Sequence, residues 1–269
     1  MVIYAVCPDS ACQSTHAPKF NNSPIPIYPL HCRHHQMGRR CNKQLLCPRI
    51  IDGRVVYTPI KPFIYFRPID WLGHLLSRPG IEAEMDVAWS KSKDSVDGVM
   101  RDIFDGENLC SFKGPDRQHF SYSNREGRYV FSLSVDFFNP LHNKQASKKV
   151  SVGIISLVCL NLPPHLCYKA ENMFLAGVIL GLNEPPLTSI NNFLCPLINN
   201  FLKMWDPGIW YSHTDDHLHG RLIWCAIVCV VCDLLAAWKI AGFTSSTYNH
   251  FCATCECTLK DNGYYNSKY

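Results

Sequence analysis

Residues 129–140 read YVFSLSVDFFNP. Tyr129, Phe131, Leu133 and Val135 alternate with Val130, Ser132, Ser134 and Asp136, the period-two pattern of a strand with two unlike faces. A carboxylate on such a strand costs free energy unless something neutralises it. Asp136 is therefore either a strand-end residue in contact with water or one member of a charged site assembled from elsewhere in the chain.

The segments that follow decide between these readings. KKVSVGIISLVCLNLPP gives a second strand from about Val150 to Leu160, stopped by Pro163 and Pro164. NMFLAGVILG gives a third, from Met173 to Leu180. Over 187–205, Leu187, Ile190, Phe193, Leu194, Leu197, Ile198, Phe201, Leu202 and Trp205 step at helical spacing, with a cap near Thr188 or Ser189. Pro196 inside that run predicts a kink or a short first half. Arg221 to Cys232 reads as a strand covered on both faces, and a helix begins near Asp233 and ends at Gly242.

Three strands joined by short loops favour an antiparallel meander, and a helical crossover then favours a fourth strand parallel to the first. This order is that of the ribonuclease H-like fold, in which the first and fourth strands are neighbours. Asp136 on the first and Asp233 at the end of the fourth would meet there. Two adjacent carboxylates repel unless a cation joins them, and a pair of Mg²⁺ ions held by hard oxygens cleaves phosphodiesters. The plainer alternative makes Asp136 an edge residue and Asp233 a helix N-cap.

The chain has 269 residues, 47% of them hydrophobic, enough to build a sizeable core and to argue against global disorder. A net charge of +4 is compatible with nucleic acid without arguing for it. Fifteen cysteines, an odd number in clusters, argue against a secreted disulfide framework, and MVIYAVCPDS lacks the pattern of a signal peptide. LIWCAIVCVVCDLLAAW, residues 222–238, is shorter than the roughly 20 residues of a membrane span and contains Asp233, so a membrane association is not expected.

Residues 1–50 are rich in Cys, His, Pro and Arg and read as a small loop-rich module. Cys7-x4-Cys12 and Cys32-x8-Cys41 offer four soft ligands for a structural zinc, the alternative being a set of free thiols. Arg33, Arg39 and Arg40 beside them could touch phosphates, or form an exposed charged face. Residues 51–118 form a mixed helical connection, opening on an amphipathic helix with Ile69, Leu72, Leu75 and Leu76, ended by Pro79-Gly80. HFCATCEC near the C-terminus gives a second half-site, Cys252 and Cys255. HTDDHLHG, residues 213–220, reads as a solvated polar turn rather than a metal cluster.

Three blocks also carry a family resemblance. Residues 128–164 resemble the first catalytic block of the CACTA (En/Spm-type) DNA transposases of fungi and plants, where a strand ends in Asp-Gly-Phe-Asn-Pro-Phe and the next closes on Asn-Leu-Pro-Pro. Residues 172–210 resemble their Gly-Pro-Lys-Glu-Pro turn and helix ending in Leu-Trp, and residues 231–255 their second catalytic Asp followed by Cys-x-x-Cys. The likeness spans about Tyr4 to Leu259. It implies a DDE-type nuclease core over 119–269, Mg²⁺ or Mn²⁺ as catalytic metal, transposon-end DNA as partner, no small-molecule substrate and nuclear localisation. Homo-oligomerisation is compatible with it. By position, Asp136 and Asp233 inherit the first two catalytic acids, and Cys7, Cys12, Cys32 and Cys41 the zinc ligands.

The sequence departs from the family pattern at Phe137 for Gly, at Leu234-Leu235 before Ala236, and at Gly181-Leu182 for Gly-Pro. The family's third acid lies beyond the Cys-x-x-Cys, and Glu256 is a poor substitute. An incomplete copy without transposition activity of its own is the resulting expectation. A non-catalytic, zinc-dependent nucleic-acid-binding protein is the alternative from another class.

Overall fold

A computed structural model describes residues 1–22, 24–36, 38–91, 99–120, 125–140, 151–181 and 184–242. In chain order its elements are β1 (Val2–Val6), β2 (Thr15–His16), β3 (His35–Gln36), β4 (Arg39–Arg40), β5 (Leu46–Ile51), β6 (Arg54–Pro59), β7 (Lys61–Tyr65), α1 (Pro68–Leu76), α2 (Ile81–Lys91), α3 (Glu107–Cys110), β8 (Gly127–Phe138), β9 (Ser151–Cys159), α4 (Pro164–Cys167), β10 (Met173–Gly181), α5 (Ile190–Trp205), β11 (Ile209–Tyr211), β12 (Arg221–Val230) and α6 (Leu234–Ala241). None of the described helices is long and apolar enough to cross a membrane. The apolar run 222–238 is divided between β12 and α6.

Eight strands form one mixed sheet in the order β11-β12-β8-β9-β10-β7-β1-β2. The meander β8-β9-β10 is antiparallel, and β12 lies beside β8 as the sheet's one parallel pair. The crossover is α5, whose face of Ile190, Phe193, Leu194, Leu197, Phe201 and Met204 is buried against the sheet. Tyr129, Phe131, Leu133 and Val135 face that core. The alternate residue Val130 of β8 joins Trp224, Ala226 and Val228 of β12, with Phe104 and Phe120, in a second cluster.

Two features go beyond the sequence pattern. First, α5 runs unbroken through Pro196. Proline lacks the N–H that would bond to Asn192 four residues earlier. The Asn192 carbonyl instead accepts the Thr15 hydroxyl at 3.0 Å. Second, β1 and β7 extend the sheet beyond β10, so residues from both the N-terminal and the connecting segments are pinned to it.

Asn161 closes the β9 end. Its Oδ1 accepts the Val130 N–H at 2.8 Å, and its Nδ2 donates to the carbonyls of Arg128 and Met85 at 3.3 and 3.4 Å. The residue is 1% exposed. Asn161→Ala leaves a buried N–H of β8 unpaired and is expected to destabilise the protein by about 1–3 kcal/mol. A change under about 0.5 kcal/mol in chemical denaturation would show that the strand end repairs itself.

Candidate functional site

The first site is built from four cysteines. Cys7 ends the run begun by β1, Cys12 lies in a turn, Cys32 follows the bridge between His31 and Gln44, and Cys41 follows the β3–β4 hairpin. Cys7 N–H donates to the Ser14 carbonyl, and Cys41 N–H to the His34 carbonyl. The four sulfurs lie within 4.8 Å of one another. Cys7 and Cys41 Sγ are 3.6 Å apart, and Cys12 and Cys32 Sγ 3.8 Å. These are not disulfides, which need about 2.05 Å. A tetrahedron with Zn–S bonds of about 2.3 Å has edges of about 3.8 Å, so the donor set fits a soft divalent metal.

The electrostatics of the cluster also call for a cation. Burial raises the Cys7 thiol far above its usual range, and burial likewise raises Cys32. At Cys12 burial is outweighed by bonds involving Ser14, Cys32 and Cys7, so this thiol falls below its usual range. One thiolate is thus favoured beside the two reluctant thiols of Cys7 and Cys32, and a bound positive charge would favour ionising them.

Sequence reasoning did not find the residues that hold this cluster to the sheet. Asn192 of α5 donates to the carbonyls of Cys12 and Gln13, both at 3.2 Å. Ser14 Oγ lies 3.2 Å from Cys32 Sγ and 3.3 Å from His16 Nε2. An asparagine on a helix carries no sequence sign of such a role.

The second site is the acidic pair. Leu133 pairs with Val230 in the parallel register, and the Val231 N–H donates to the Leu133 carbonyl at 2.8 Å. In parallel geometry that bond sets Val231 level with Ser134. Two residues further on each chain stand Asp233 and Asp136, at the carboxyl ends of neighbouring strands. Both are exposed. Asp233 is also the N-cap of α6, its Oδ1 accepting the Ala236 N–H at 2.7 Å. Asp136 stands opposite Ile154 on β9. Among the described residues no group of three metal-ligating side chains includes either acid.

Phe137 is accommodated across the ladder. It pairs with Gly153, where a Cβ would come within 2.5 Å of the Phe137 ring. The bulk that follows Asp136 therefore has a matching space on β9.

The 213–220 turn is mostly exposed and also makes structural contacts. Asp215 Oδ2 accepts the Gly80 N–H at 3.0 Å, its own N–H donates to the Leu76 carbonyl, and His217 Nδ1 lies 3.2 Å from the fully buried Glu82. The turn clasps the α1–α2 junction, and among the described residues it forms no metal cluster. Cys252 and Cys255 lie outside the described residues.

Comparison with known proteins adds one match. The sequence model of the family described as "Transposase family tnp2" matches residues 97–268. No curated protein matches the chain.

Proposed function

The chain belongs to the tnp2 transposase family, and on that premise we propose a DNA-binding transposase-like protein with a ribonuclease H-like core and a structural zinc module. The strand order β10-β9-β8-β12, with β12 parallel to β8, supports the core assignment. The sulfur spacings support zinc. The finer assignment to the CACTA (En/Spm-type) branch rests on the three resemblant blocks, and transposon ends as the DNA and the nucleus as its place of action follow from it.

Asp136 and Asp233 are the carboxylates of the metal site in this reading. The observation that carries it is their register at the carboxyl ends of adjacent parallel strands. Mg²⁺ or Mn²⁺ would supply the activation of a water or 3′-hydroxyl and the charge for the leaving oxygen. The Ala236 N–H fixes one oxygen of Asp233, which orients the carboxylate. Among the described residues two acids rather than three stand there, so weak metal binding is expected.

Mn²⁺ titration followed by water proton relaxation tests this. The zinc-loaded protein is expected to show a weak Mn²⁺ site that Asp136→Ala and Asp233→Ala each remove. Asp136→Ala should change stability by less than about 0.5 kcal/mol, because its side chain is exposed. Equal Mn²⁺ binding by wild type and Asp136→Ala would refute the site. Mg²⁺-dependent nicking of a duplex, abolished by Asp136→Ala, would show that a full catalyst is present.

A further inference from the structure

β5 and β6 form a two-stranded sheet of their own. Their pairing runs from Leu46↔Pro59 to Ile51↔Arg54, closed by Asp52 and Gly53 with φ of 49° and 73°. Left-handed backbone at both turn positions is the geometry of a tight hairpin and explains the Asp-Gly pair. The base of the ribbon is anchored, with Leu46 buried in the cysteine module. Its far half is exposed on both faces. Ile50 is 80% and Val55 64% exposed, and Ile51 47%. Alternation sets Ile50 and Val55 on one face and Arg49, Ile51 and Arg54 on the other.

A free two-stranded ribbon is marginal in water, and clustered exposed aliphatics at its tip mark a contact surface. The charge around it indicates the partner. Residues 1–66 carry eight Lys or Arg against two Asp or Glu, a formal +6, whereas residues 67–269 carry eighteen against twenty. All of the chain's net positive charge therefore lies in the segment that bears the ribbon. Four zinc-bound thiolates would lower that surplus by two and leave it positive.

We propose that the β5–β6 ribbon is a DNA wedge: its tip enters the minor groove of a duplex, Ile50 on one face and Ile51 on the other press against the two sides of a base step, and Arg49 and Arg54 contact the flanking phosphates. This deepens, and rests on, the DNA-binding reading above. Aliphatic wedges of this kind part a base step and bend the duplex toward the major groove, and pyrimidine–purine steps yield most easily. The turn needs Asp52 or its like for the left-handed backbone, so the tip's one carboxylate is accounted for by geometry.

The test uses the full zinc-loaded chain and a duplex carrying 2-aminopurine at a central TA step, with dyes at both ends. Wild type is expected to raise the 2-aminopurine fluorescence and bring the ends closer. Ile50→Ser/Ile51→Ser should abolish both signals and weaken binding by roughly ten-fold, because the bend that brings more protein surface onto the duplex is lost. Arg49→Ala/Arg54→Ala should reduce the log–log salt slope by about two, at roughly 0.9 per phosphate contact. Unchanged zinc content confirms that the variants fold. If wild type binds DNA but the Ile pair leaves both signals unaltered, the wedge is overturned and the DNA reading stands. If the Ile pair instead abolishes self-association in sedimentation while DNA binding is intact, the tip is a contact between copies and the wedge is overturned. If wild type fails to bind duplex at all, both readings fall together.

Discussion

Replacing Cys32 by Ser is expected to release one zinc per chain and to unfold the N-terminal module while the centre of the sheet survives. The buried cluster that contains this site is small. It consists of Ala5, Cys7, Cys12, Tyr28, Cys32, Leu45 and Leu46, and three of those seven are thiols. Little apolar surface is left to offset the ordering of the loops between β2 and β5. Structural zinc in small modules contributes on the order of 10–16 kcal/mol of apparent folding free energy. Losing a ligand therefore removes most of what holds residues 7–60. The sheet centre, β8-β9-β10, draws on the main core instead, through Phe131, Leu133, Ile155 and Leu157.

The measurement is zinc content together with amide hydrogen exchange. Protection should vanish around the cysteine turns and persist in β8 and β9. A partial loss should also reach the first turns of α5, because Asn192 donates to the Cys12 and Gln13 carbonyls and Thr15 donates to Asn192. Retained zinc with unchanged protection in Cys32→Ser would show that the cysteines are free thiols. The zinc lost should be about one per chain even if Cys252 and Cys255 hold another, since a closed tetrahedral site needs four ligands.

What sequence could reveal of this molecule follows from how local each signal is. The strand read from Tyr129 to Asp136 extends from Gly127 to Phe138, and those read at about 150–160 and at 173–180 lie at Ser151–Cys159 and Met173–Gly181. Period-two alternation and proline stops are encoded within a few residues, so they survive without knowledge of the rest. The parallel pairing of β12 with β8 was legible because one helix separates the meander from the last long strand, and handedness restricts the crossover. The addition of β7, β1 and β2 to the sheet was not legible. β1 and β7 have five residues each and β2 two, and β10, which β7 joins to bring them into the sheet, lies more than a hundred residues away. Within the helical connection the bounds of α2 were not legible for a similar reason: Glu82 and Asp86 interrupt its apolar face, and their purpose appears only when Arg221 arrives from β12. The four cysteines were legible by type and grouping, whereas Asn161 and Asn192, which bond to backbone rather than to side chains, have no compositional mark.

Arg221→Ala is expected to lower stability by about 3–5 kcal/mol, the cost of leaving a buried charge unpaired. Arg221 is the first residue of β12 and is 6% exposed, and Glu82 is fully buried. Its guanidinium donates to Glu82 Oε1 at 2.8 Å, to Asp86 Oδ2 at 2.6 Å, and to the carbonyls of Glu126 and Arg125 at 3.1 and 3.3 Å. One side chain thereby joins the start of β12 to α2 and to the entry of β8. Tyr129 completes the network, donating to Asp86 Oδ1 at 3.1 Å. Burial, then the nearby Asp86, holds the Tyr129 hydroxyl well above its ordinary range, so it stays a donor.

Alanine removes the only guanidinium among the described contacts of Glu82, leaving it with His217 and the Asp216 N–H. The melting temperature should fall by about 10 °C. Arg221→Met with Glu82→Leu should recover most of the loss, since an apolar pair of similar volume avoids the desolvation that the ion pair pays. A drop below about 1 kcal/mol for Arg221→Ala would mean that water enters and solvates Glu82. The effect bears on the acidic pair as well. The parallel pairing begins with Ile223 against Gly127, two residues from Arg221, and a one-residue shift between Ile227 and Cys229 then gives the register that runs on toward Asp233 and Asp136. Loosening that end should lower exchange protection along β12 and weaken Mn²⁺ binding at the other end, whereas Asp136→Ala should affect the metal and spare the fold.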